Sequence, residues 1–270
     1  MSKLKNVQEL ELDLANRFTQ YCHTNRFRYY MIGGTFLGAI RHGGFIPWDD
    51  DMDFGMPRKD YELFKSLLIN KKRVDGFELE YYSLDPKYKY PFIKIVDRSI
   101  ILEIRNGTEK QVVPCWIDIF PLDYIPKNKL KRKAQILKLL FIRSLISMCN
   151  INKINFKKKN RPLYESFLMK IGSSFDFNRI LNLTKLYQMY DKQLLKYKEK
   201  DGDLWINIMG SYKAKEIFNK DVFGTGKKYK FDNSEFIGPS KAKDYLSKLY
   251  GDFMKLPPKN KRNHHHSRVL

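Results

Sequence analysis

Four aspartates lie within five residues, and their spacing is that of a binding site for a divalent cation. Asp51 and Asp53 alternate with the apolar Met52 and Phe54, so in a β-strand the two carboxylates share one face. Carboxylate oxygens are the ligands that Mg²⁺ and Mn²⁺ prefer. A solvated acidic loop is the alternative, but it leaves unexplained the repulsion between crowded carboxylates, which a cation would relieve. We therefore predict a metal-dependent active site around residues 49–53.

A third metal ligand is predicted further along the chain. Asp118 is a lone acid between Ile117 and Ile119, a pattern typical of a strand whose apolar side chains enter the core. On a strand adjacent to Asp51 and Asp53, its carboxylate would complete the ligand set. The alternative is a buried acid whose oxygens accept hydrogen bonds from backbone N–H groups.

Glycines upstream of the acidic run predict a phosphate site. Gly33 and Gly34 follow the strand-like Tyr29–Ile32, and Thr35 is a good N-cap for a short helix. Glycine lets the backbone approach a phosphate, and the start of a helix carries partial positive charge. We expect bare backbone N–H groups of this turn to hold a phosphate of the substrate.

The elements around these residues predict an α/β (α+β) fold. A helix is expected over 5–24, and strands and helices alternate after it. The strands expected after the acidic run are Phe77–Tyr82, Phe92–Val96, Ser99–Glu103 and Ile117–Phe120, and later helices are expected near 163–171, 179–199 and 240–250. The order of strand, Gly-Gly-Thr turn, short helix, Asp-x-Asp strand and later Asp strand is that of nucleotidyltransferase-like enzymes. We predict a mixed-sheet catalytic core at 1–123 and a basic, mainly helical acceptor- or membrane-facing region at 124–270 that completes the cleft.

The chain is strongly basic, with a formal net charge of +21. From Tyr124 to Tyr164 it carries twelve basic residues and no acidic one, around the largely apolar stretch Ile136–Met148. A basic helix with an apolar face favours an anionic membrane surface as a partner. The side chains expected to enter that surface rather than a core are those of Leu139, Leu140, Phe141 and Leu145. A helix packed on its own core, with lysines in solvent, is the alternative.

The remaining bulk features predict a cytoplasmic protein on the inner face of the cell membrane. The three cysteines form no paired motif, there is no apolar leader, and no apolar stretch reaches the roughly 18 residues that a spanning helix needs. No nucleic acid is expected as a partner, because the acidic cluster would repel a phosphate backbone unless it held metal. A basic nucleic-acid-binding module stays the alternative from another class of function.

Three segments of the chain resemble the LicD family, which is related to fukutin and fukutin-related protein. They are residues 33–53, residues 116–123, and residues 250–258 followed by Lys261 and Arg262. Asp232 departs from the pattern, because family members usually carry glutamate there. The resemblance implies a nucleotidyltransferase-like fold and transfer of phosphocholine from CDP-choline to a hydroxyl, with release of CMP. The acceptor would be a lipid-linked or membrane-associated glycan precursor of teichoic acid, lipopolysaccharide or capsule.

The resemblance also implies roles for individual residues. The metal ligands would be Asp51, Asp53 and Asp118, and Asp49 or Asp118 would accept the proton of the attacking hydroxyl. The residues expected to contact the donor phosphates are Gly33, Gly34, Thr35, Arg41 and His42. The rings that would suit a choline cation, with core packing as the alternative for each, are Trp48, Tyr90, Trp116 and Trp205. Another CDP-linked donor (ethanolamine or alditol phosphate) and a GT-A-like glycosyltransferase using the Asp-x-Asp metal site stay open.

Overall fold

The helices and strands alternate along the chain as the sequence predicts, in the α+β class. This computed structural model describes residues 3–85, 88–106, 109–149, 181–258, 262 and 268–269. The helices described are α1 (Lys3–Thr24), α2 (Gly33–His42), α3 (Arg58–Lys71), α4 (Lys129–Cys149), α5 (Leu183–Leu194), α6 (Lys220–Phe223) and α7 (Ala242–Tyr250). The strands described are β1 (Tyr30–Met31), β2 (Asp53–Pro57), β3 (Arg73–Val74), β4 (Phe77–Glu80), β5 (Ile93–Asn106), β6 (Glu109–Ile125), β7 (Leu204–Ile206), β8 (Ile217–Asn219), β9 (Lys227–Phe231), β10 (Ser234–Gly238) and β11 (Arg268–Val269). The helix expected near 163–171 lies outside the described residues.

A mixed sheet brings the acidic strands together. Its strand order is β1-β2-β6-β5-β4-β3, with β2 and β6 parallel and the other pairs along this order antiparallel. The two strands expected at Phe92–Val96 and Ser99–Glu103 are one strand, β5, with a register shift between Asp97 and Ile101. A bulge of this kind lets a long strand bend without ending its pairing.

Aromatic side chains fill the space between the sheet and the helices α1 and α3. Phe18 of α1 lies 5.2 Å from Phe54 of β2 and 5.5 Å from Phe64 of α3, measured between ring centroids. These three side chains are fully buried. Because side chains alternate across a strand, burial of Phe54 turns the neighbouring Asp53 towards the opposite face of the sheet.

The second half of the chain packs on the same core as the first. Strand β7 pairs with the end of β6, placing Ile206 opposite Asp123. The ring of Phe36 on α2 lies 5.1 Å from that of Tyr229 on β9 and 5.6 Å from that of Tyr245 on α7. The division at residue 123 therefore crosses a continuous packed core, and whether each part is an independent domain stays a prediction.

Helix α4 packs one face on the protein, against the expectation for its apolar residues. Leu139 is 1% exposed, and Leu140 and Leu145 are half-buried against the core. The helix itself packs against α5. Of the four residues expected to enter a membrane surface, Phe141 alone is exposed, at 63%. Among the described helices, none is both long enough and apolar enough to cross a membrane.

Candidate functional site

A cleft of about 1340 Å³ is lined by residues from both halves of the chain. The first half contributes the start of α2, the acidic run and residues of β2 and β6. The second half contributes α4 side chains and residues within 207–216 and 250–258. The four carboxylates singled out in the sequence all line this cleft, and they are those of Asp49, Asp51, Asp53 and Asp118.

Three charged side chains stand in one row across the sheet. Asp53 on β2 pairs with Asp118 on β6, and Asp118 pairs with Lys94 on β5. Side chains of directly paired residues lie on the same face of a sheet, and Lys94 Nζ lies 2.7 Å from Asp118 Oδ1. The placement of Asp118 on a strand adjacent to Asp53 is thus confirmed, while its role as a metal ligand stays a prediction.

Sequence reasoning missed Lys94, although its signal was present. Lys94 lies between Ile93 and Ile95, which are both fully buried. A lone charged residue between buried aliphatic neighbours is the same pattern that pointed to Asp118. Applied to bases as well as acids, this pattern identifies both members of the ion pair.

Burial and mutual repulsion raise the pKa values of the acidic side chains. The pKa of Asp53 is well above its usual range because its carboxyl group is desolvated and faces Asp51 and Asp118. Desolvation also raises the pKa of Asp49, and Asp51 adds to the effect. Desolvation raises the pKa of Asp118 although Lys94 opposes it. A positive ion beside these groups would favour their ionised forms.

The chemistry of these side chains fits Mg²⁺ or Mn²⁺, because all four are carboxylates that repel one another. Throughout the described ranges, no three acidic, histidine or cysteine side chains already stand as ligands of a single ion. Lys94 also holds one oxygen of Asp118. A cation would therefore have to draw Asp51 and Asp53 together and compete with Lys94 for Asp118.

Gly33 and Gly34 give two carboxylates room at the start of α2. A Cβ on Gly34 would lie 3.0 Å from Asp49 Oδ2, and one on Gly33 would lie 3.3 Å from Asp53 Oδ2. Gly33 has a φ of +55°, in the region that favours glycine. Its N–H donates to the Tyr245 hydroxyl at 3.0 Å, so a phosphate would meet a tyrosine-bound N–H rather than the bare group that was expected.

Thr35 does not cap α2, so this expectation is wrong. The helix begins at Gly33, with Ile32 at the N-cap position and no side-chain cap, because the freedom of glycine lets the helix start three residues earlier. Thr35 lies in the first turn, where its hydroxyl accepts a hydrogen bond from the Asp53 N–H at 2.7 Å. Thr35 therefore fixes the backbone of Asp53 against α2.

Of the two basic residues at the end of α2, Arg41 lines the cleft and His42 does not. Arg41 Nη1 donates to the Phe253 carbonyl at 3.0 Å. Burial lowers the pKa of His42, and the charge of Arg41 lowers it further. The His42 ring stands edge-on to Trp48 at 6.1 Å. Of these two residues, Arg41 is therefore the one placed to meet an anionic substrate in the cleft.

Cations of the chain itself occupy ring faces that were expected to receive choline. Lys94 Nζ lies 4.8 Å from the centroid of Tyr90 and 4.6 Å from that of Trp116. The guanidinium of Arg262 lies 4.5 Å from the centroid of Trp48. An ammonium or guanidinium over an aromatic face makes the interaction that a choline would make.

Trp205 and Asp232, which the sequence also singled out, do not line the cleft. Trp205 is 4% exposed and packs in the core, so the core-packing alternative holds for it. Asp232 has a φ of +53° in the turn between β9 and β10, and its N–H donates to the Gly43 carbonyl at 2.6 Å. A Cβ on Gly44 would overlap the Asp232 carboxylate. Asp232 thus holds the turn after α2 and does not line the cleft.

A second polar wall faces the acidic end of the cleft, and sequence reasoning missed it. Glu216 is 5% exposed, and its Oε2 accepts a hydrogen bond from Asn207 Nδ2 at 3.0 Å. Arg143 of α4 donates to the carbonyls of Ile208 and Gly210, so this arginine belongs to the cleft rather than to the basic surface. The burial of Glu216 arises from contacts between distant segments, which leave no periodic signal in the sequence.

Comparisons with known proteins converge on one family. Residues 26–138 match the family model described as LicD/FKTN/FKRP, nucleotidyltransferase domain. The chain is 28% identical over 277 aligned residues to the lipopolysaccharide cholinephosphotransferase LicD of Haemophilus influenzae, covering 97% of this chain and 96% of that protein. An uncharacterised protein of Rickettsia prowazekii is 50% identical over 57 residues, 21% of each chain. The human ribitol 5-phosphate transferase FKRP is 54% identical over 33 residues, 12% of this chain and 7% of that protein.

Proposed function

Since residues 26–138 match the LicD-family nucleotidyltransferase domain, we propose that the protein transfers phosphocholine from CDP-choline to a hydroxyl of a cell-surface glycan precursor and releases CMP. The family resemblance of the motifs is confirmed by the match. The observation that carries the choice of phosphocholine is the similarity to a lipopolysaccharide cholinephosphotransferase over 97% of this chain. Lipopolysaccharide is accordingly the first acceptor to test.

The residues of the cleft support this reaction by positioning and by charge, which dominate phosphoryl transfer. Asp51, Asp53 and Asp118 would hold a divalent ion, which when bound neutralises charge on the diphosphate. Thr35 holds the backbone of Asp53 in place. Lys94 orients Asp118 and brings a positive charge to the acidic face of the sheet.

The test is transfer measured with purified protein and Mg²⁺. The donors are CDP-choline, CDP-ethanolamine, a CDP-linked alditol and UDP-sugars, and the acceptor is lipopolysaccharide that carries no phosphocholine. We expect CMP release and a mass increase of the acceptor with CDP-choline. Faster transfer from another donor would reject phosphocholine, and product from UDP-sugars alone would favour the glycosyltransferase.

Substitution of Asp53 by asparagine tests the acidic site in the same assay. We expect Asp53→Asn to lower the transfer rate on the order of 10³-fold with the fold intact, because a carboxylate is lost from the proposed clamp. Asp244→Asn, an exposed change on α7, is the matched control and should transfer normally. Near-normal transfer by Asp53→Asn would remove the proposed role of the acidic run.

We further propose that α4 places the enzyme on an anionic membrane surface, where a lipid-linked acceptor resides. Leu130, Leu137 and Phe141 are 80%, 59% and 63% exposed, and they follow one another at helical spacing on the face away from the core. The exposed lysines beside them, which complete what we call the α4 surface, are Lys131, Lys133 and Lys138. Each basic residue near an anionic leaflet contributes about 1 kcal/mol.

Sedimentation with lipid vesicles tests the α4 surface. We expect binding to vesicles that contain anionic lipid, reversal by high salt, and little binding to neutral vesicles. Changing Lys131, Lys133 and Lys138 to glutamate should release the protein. The control changes the exposed Lys227, Lys228 and Lys230 of β9 to glutamate, with the same change in net charge. Equal release by both variants would contradict a role specific to α4.

A further inference from the structure

The buried acid in the second wall of the cleft is held in a fixed position. Glu216 ends a short 3-10 helix, Lys213–Glu216, and Asn207 donates both its side-chain N–H to Glu216 Oε2 and its backbone N–H to the Glu216 carbonyl, at 3.0 and 3.3 Å. A Cβ on Gly210 would lie 2.5 Å from Glu216 Oε1. The Glu216 carboxylate, at the wall of the cleft, is therefore supported by Asn207 and by the Tyr212 N–H, and it fits there because residue 210 is a glycine.

Glu216 lines the same cleft as the acidic run. Burial raises the pKa of Tyr245 of α7, and the charge of Glu216 is the next largest cause. Glu216 also raises the pKa of Asp53 of β2, after burial and the charges of Asp51, Asp118 and Asp49. Tyr245 in turn accepts the N–H of Gly33. Glu216 thus lines the same cleft as the acidic run from a separate element, and Tyr212 and Tyr245 interact with groups on both sides.

The two acids named from the sequence as proton acceptors are already committed to other contacts. Asp118 accepts a hydrogen bond from Lys94 at 2.7 Å, and a charged partner lowers the basicity of a carboxylate. Asp49 belongs to the acidic run proposed to surround a cation, and a bound cation would also lower its basicity. Glu216 is not among the proposed metal ligands, and its hydrogen bonds come from the neutral side chain of Asn207 and the backbone of Tyr212.

We propose that Glu216 is the general base that accepts the proton of the acceptor hydroxyl, an assignment that rests on the proposed function. As the hydroxyl oxygen bonds to the phosphorus of the phosphocholine group, its proton passes to the Glu216 carboxylate. The bond from that phosphorus to the bridging oxygen of the diphosphate breaks, and its electron pair leaves on CMP. The acceptor hydroxyl then lies in the cleft beside the wall formed by Arg143, Asn207 and Glu216.

The electrostatic surroundings suit a base that works near neutral pH. Desolvation raises the pKa of Glu216 to about 7 although Asn207, the Tyr212 N–H and the positive charge of Arg143 oppose it. The other ionisable groups that interact with it are Asp53, Tyr212 and Tyr245. A base is most effective when its pKa lies near the working pH.

The test compares Glu216→Gln with wild type in transfer from CDP-choline to phosphocholine-free lipopolysaccharide between about pH 5 and pH 9. The wild-type rate should rise with pH through a midpoint near 7, the pKa of Glu216, and level off at higher pH, where Glu216 is ionised. Glu216→Gln should lose about 10²- to 10⁴-fold in rate, should lack this rise, and should bind CDP-choline with the wild-type Kd in calorimetry. Glu216→Asp should recover part of the rate.

A buried glutamate outside the cleft is the matched control. Glu103 of β5 is 7% exposed, and Glu103→Gln should keep the wild-type rate and pH profile. Transfer by Glu216→Gln near the wild-type rate, or a loss explained by weaker donor binding, would overturn the assignment while leaving the proposed function in place. Absence of phosphocholine transfer by the wild type would instead overturn the proposed function, and the assignment with it.

Discussion

A fully buried glutamate lies behind the acidic run, and it links stability to pH. Glu11 of α1 is 0% exposed, and neither of its carboxyl oxygens has a hydrogen-bond partner in the described part of the chain. Burial raises the pKa of Glu11 well above its usual range, and Asp50 and Asp51 raise it further. The folded protein therefore binds this proton more tightly than the unfolded chain, so the stability it contributes is present at low pH and is lost as pH rises.

Glu11→Gln removes this dependence, because the amide stays neutral at every pH. We expect the variant to raise the free energy of unfolding at neutral pH by at least about 1 kcal/mol, and to have no such advantage below about pH 4. Thermal unfolding in the presence of a chelator, measured across this range, gives the answer. Glu9→Gln on the exposed face of the same helix should change little. An equal gain at all pH values would show that the proton of Glu11 is not involved.

The ion pair in the sheet makes a second prediction for single residues. Lys94 and Asp118 are about equally buried, with side-chain exposures of 12% and 13%. Lys94→Met should lower the free energy of unfolding by about 3 kcal/mol, because it leaves a buried carboxylate without its cation. Adding Asp118→Asn should recover much of that loss in denaturant unfolding.

A more exposed ion pair on the same strand serves as the comparison for Lys94. Arg98 is 53% exposed and pairs with Glu78 and Glu80, so Arg98→Met should cost less than about 1 kcal/mol. Equal costs for Lys94→Met and Arg98→Met would contradict the importance of burial at Asp118.

At the scale of elements, α2 is pressed against the turn that follows it. Gly38 lies inside the helix, where alanine is normally more favourable than glycine by about 1 kcal/mol. A Cβ on Gly38 would nevertheless overlap the Gly44 carbonyl. We expect Gly38→Ala to lower the melting temperature, since the backbone of the turn would have to move. Ser66→Ala on the exposed face of α3 is the control, and a raised melting temperature for Gly38→Ala would show that the turn yields easily.

The elements that sequence reasoning predicts well are those specified by local pattern. Alternation identified β2 and the strand of Asp118, and helical periodicity identified α1. The N-cap prediction for Thr35 was wrong because it considered only residues close in sequence. The hydroxyl of Thr35 instead accepts a hydrogen bond from the N–H of Asp53, eighteen residues later. Similarly, charge counting placed Arg143 on a surface, whereas its carbonyl partners come from a segment more than sixty residues later.

At the scale of the whole molecule, the halves of the chain complete one another. Phe54 of β2 packs against Phe236 of β10 with centroids 5.8 Å apart, and Tyr30 donates to the Gly224 carbonyl at 2.7 Å. The acidic run could be found from sequence because its residues are contiguous. Glu216 could not, because its burial and its place opposite Asp53 exist only once these long-range contacts have formed.

A fragment of residues 1–123 tests how far the first half depends on the second. We expect it to lack a cooperative thermal transition and native near-ultraviolet circular dichroism, because Phe36 and Phe54 would lose their aromatic partners Tyr229, Tyr245 and Phe236. The intact chain measured alongside is the reference. A cooperative transition in the fragment would establish residues 1–123 as an independent domain.

The path of the chain around the cleft also has a consequence during protein synthesis. Arg41 at the end of α2 is held by the Phe253 carbonyl, and Gly33 at its start is held by the Tyr245 hydroxyl. Both ends of α2 therefore receive these partners only after most of the chain has been synthesised. Until then a nascent chain exposes the acidic run without the wall that carries Glu216. The complete cleft thus forms late in translation, and a polypeptide that ends before residue 245 lacks the Tyr245 and Phe253 contacts that hold the two ends of α2.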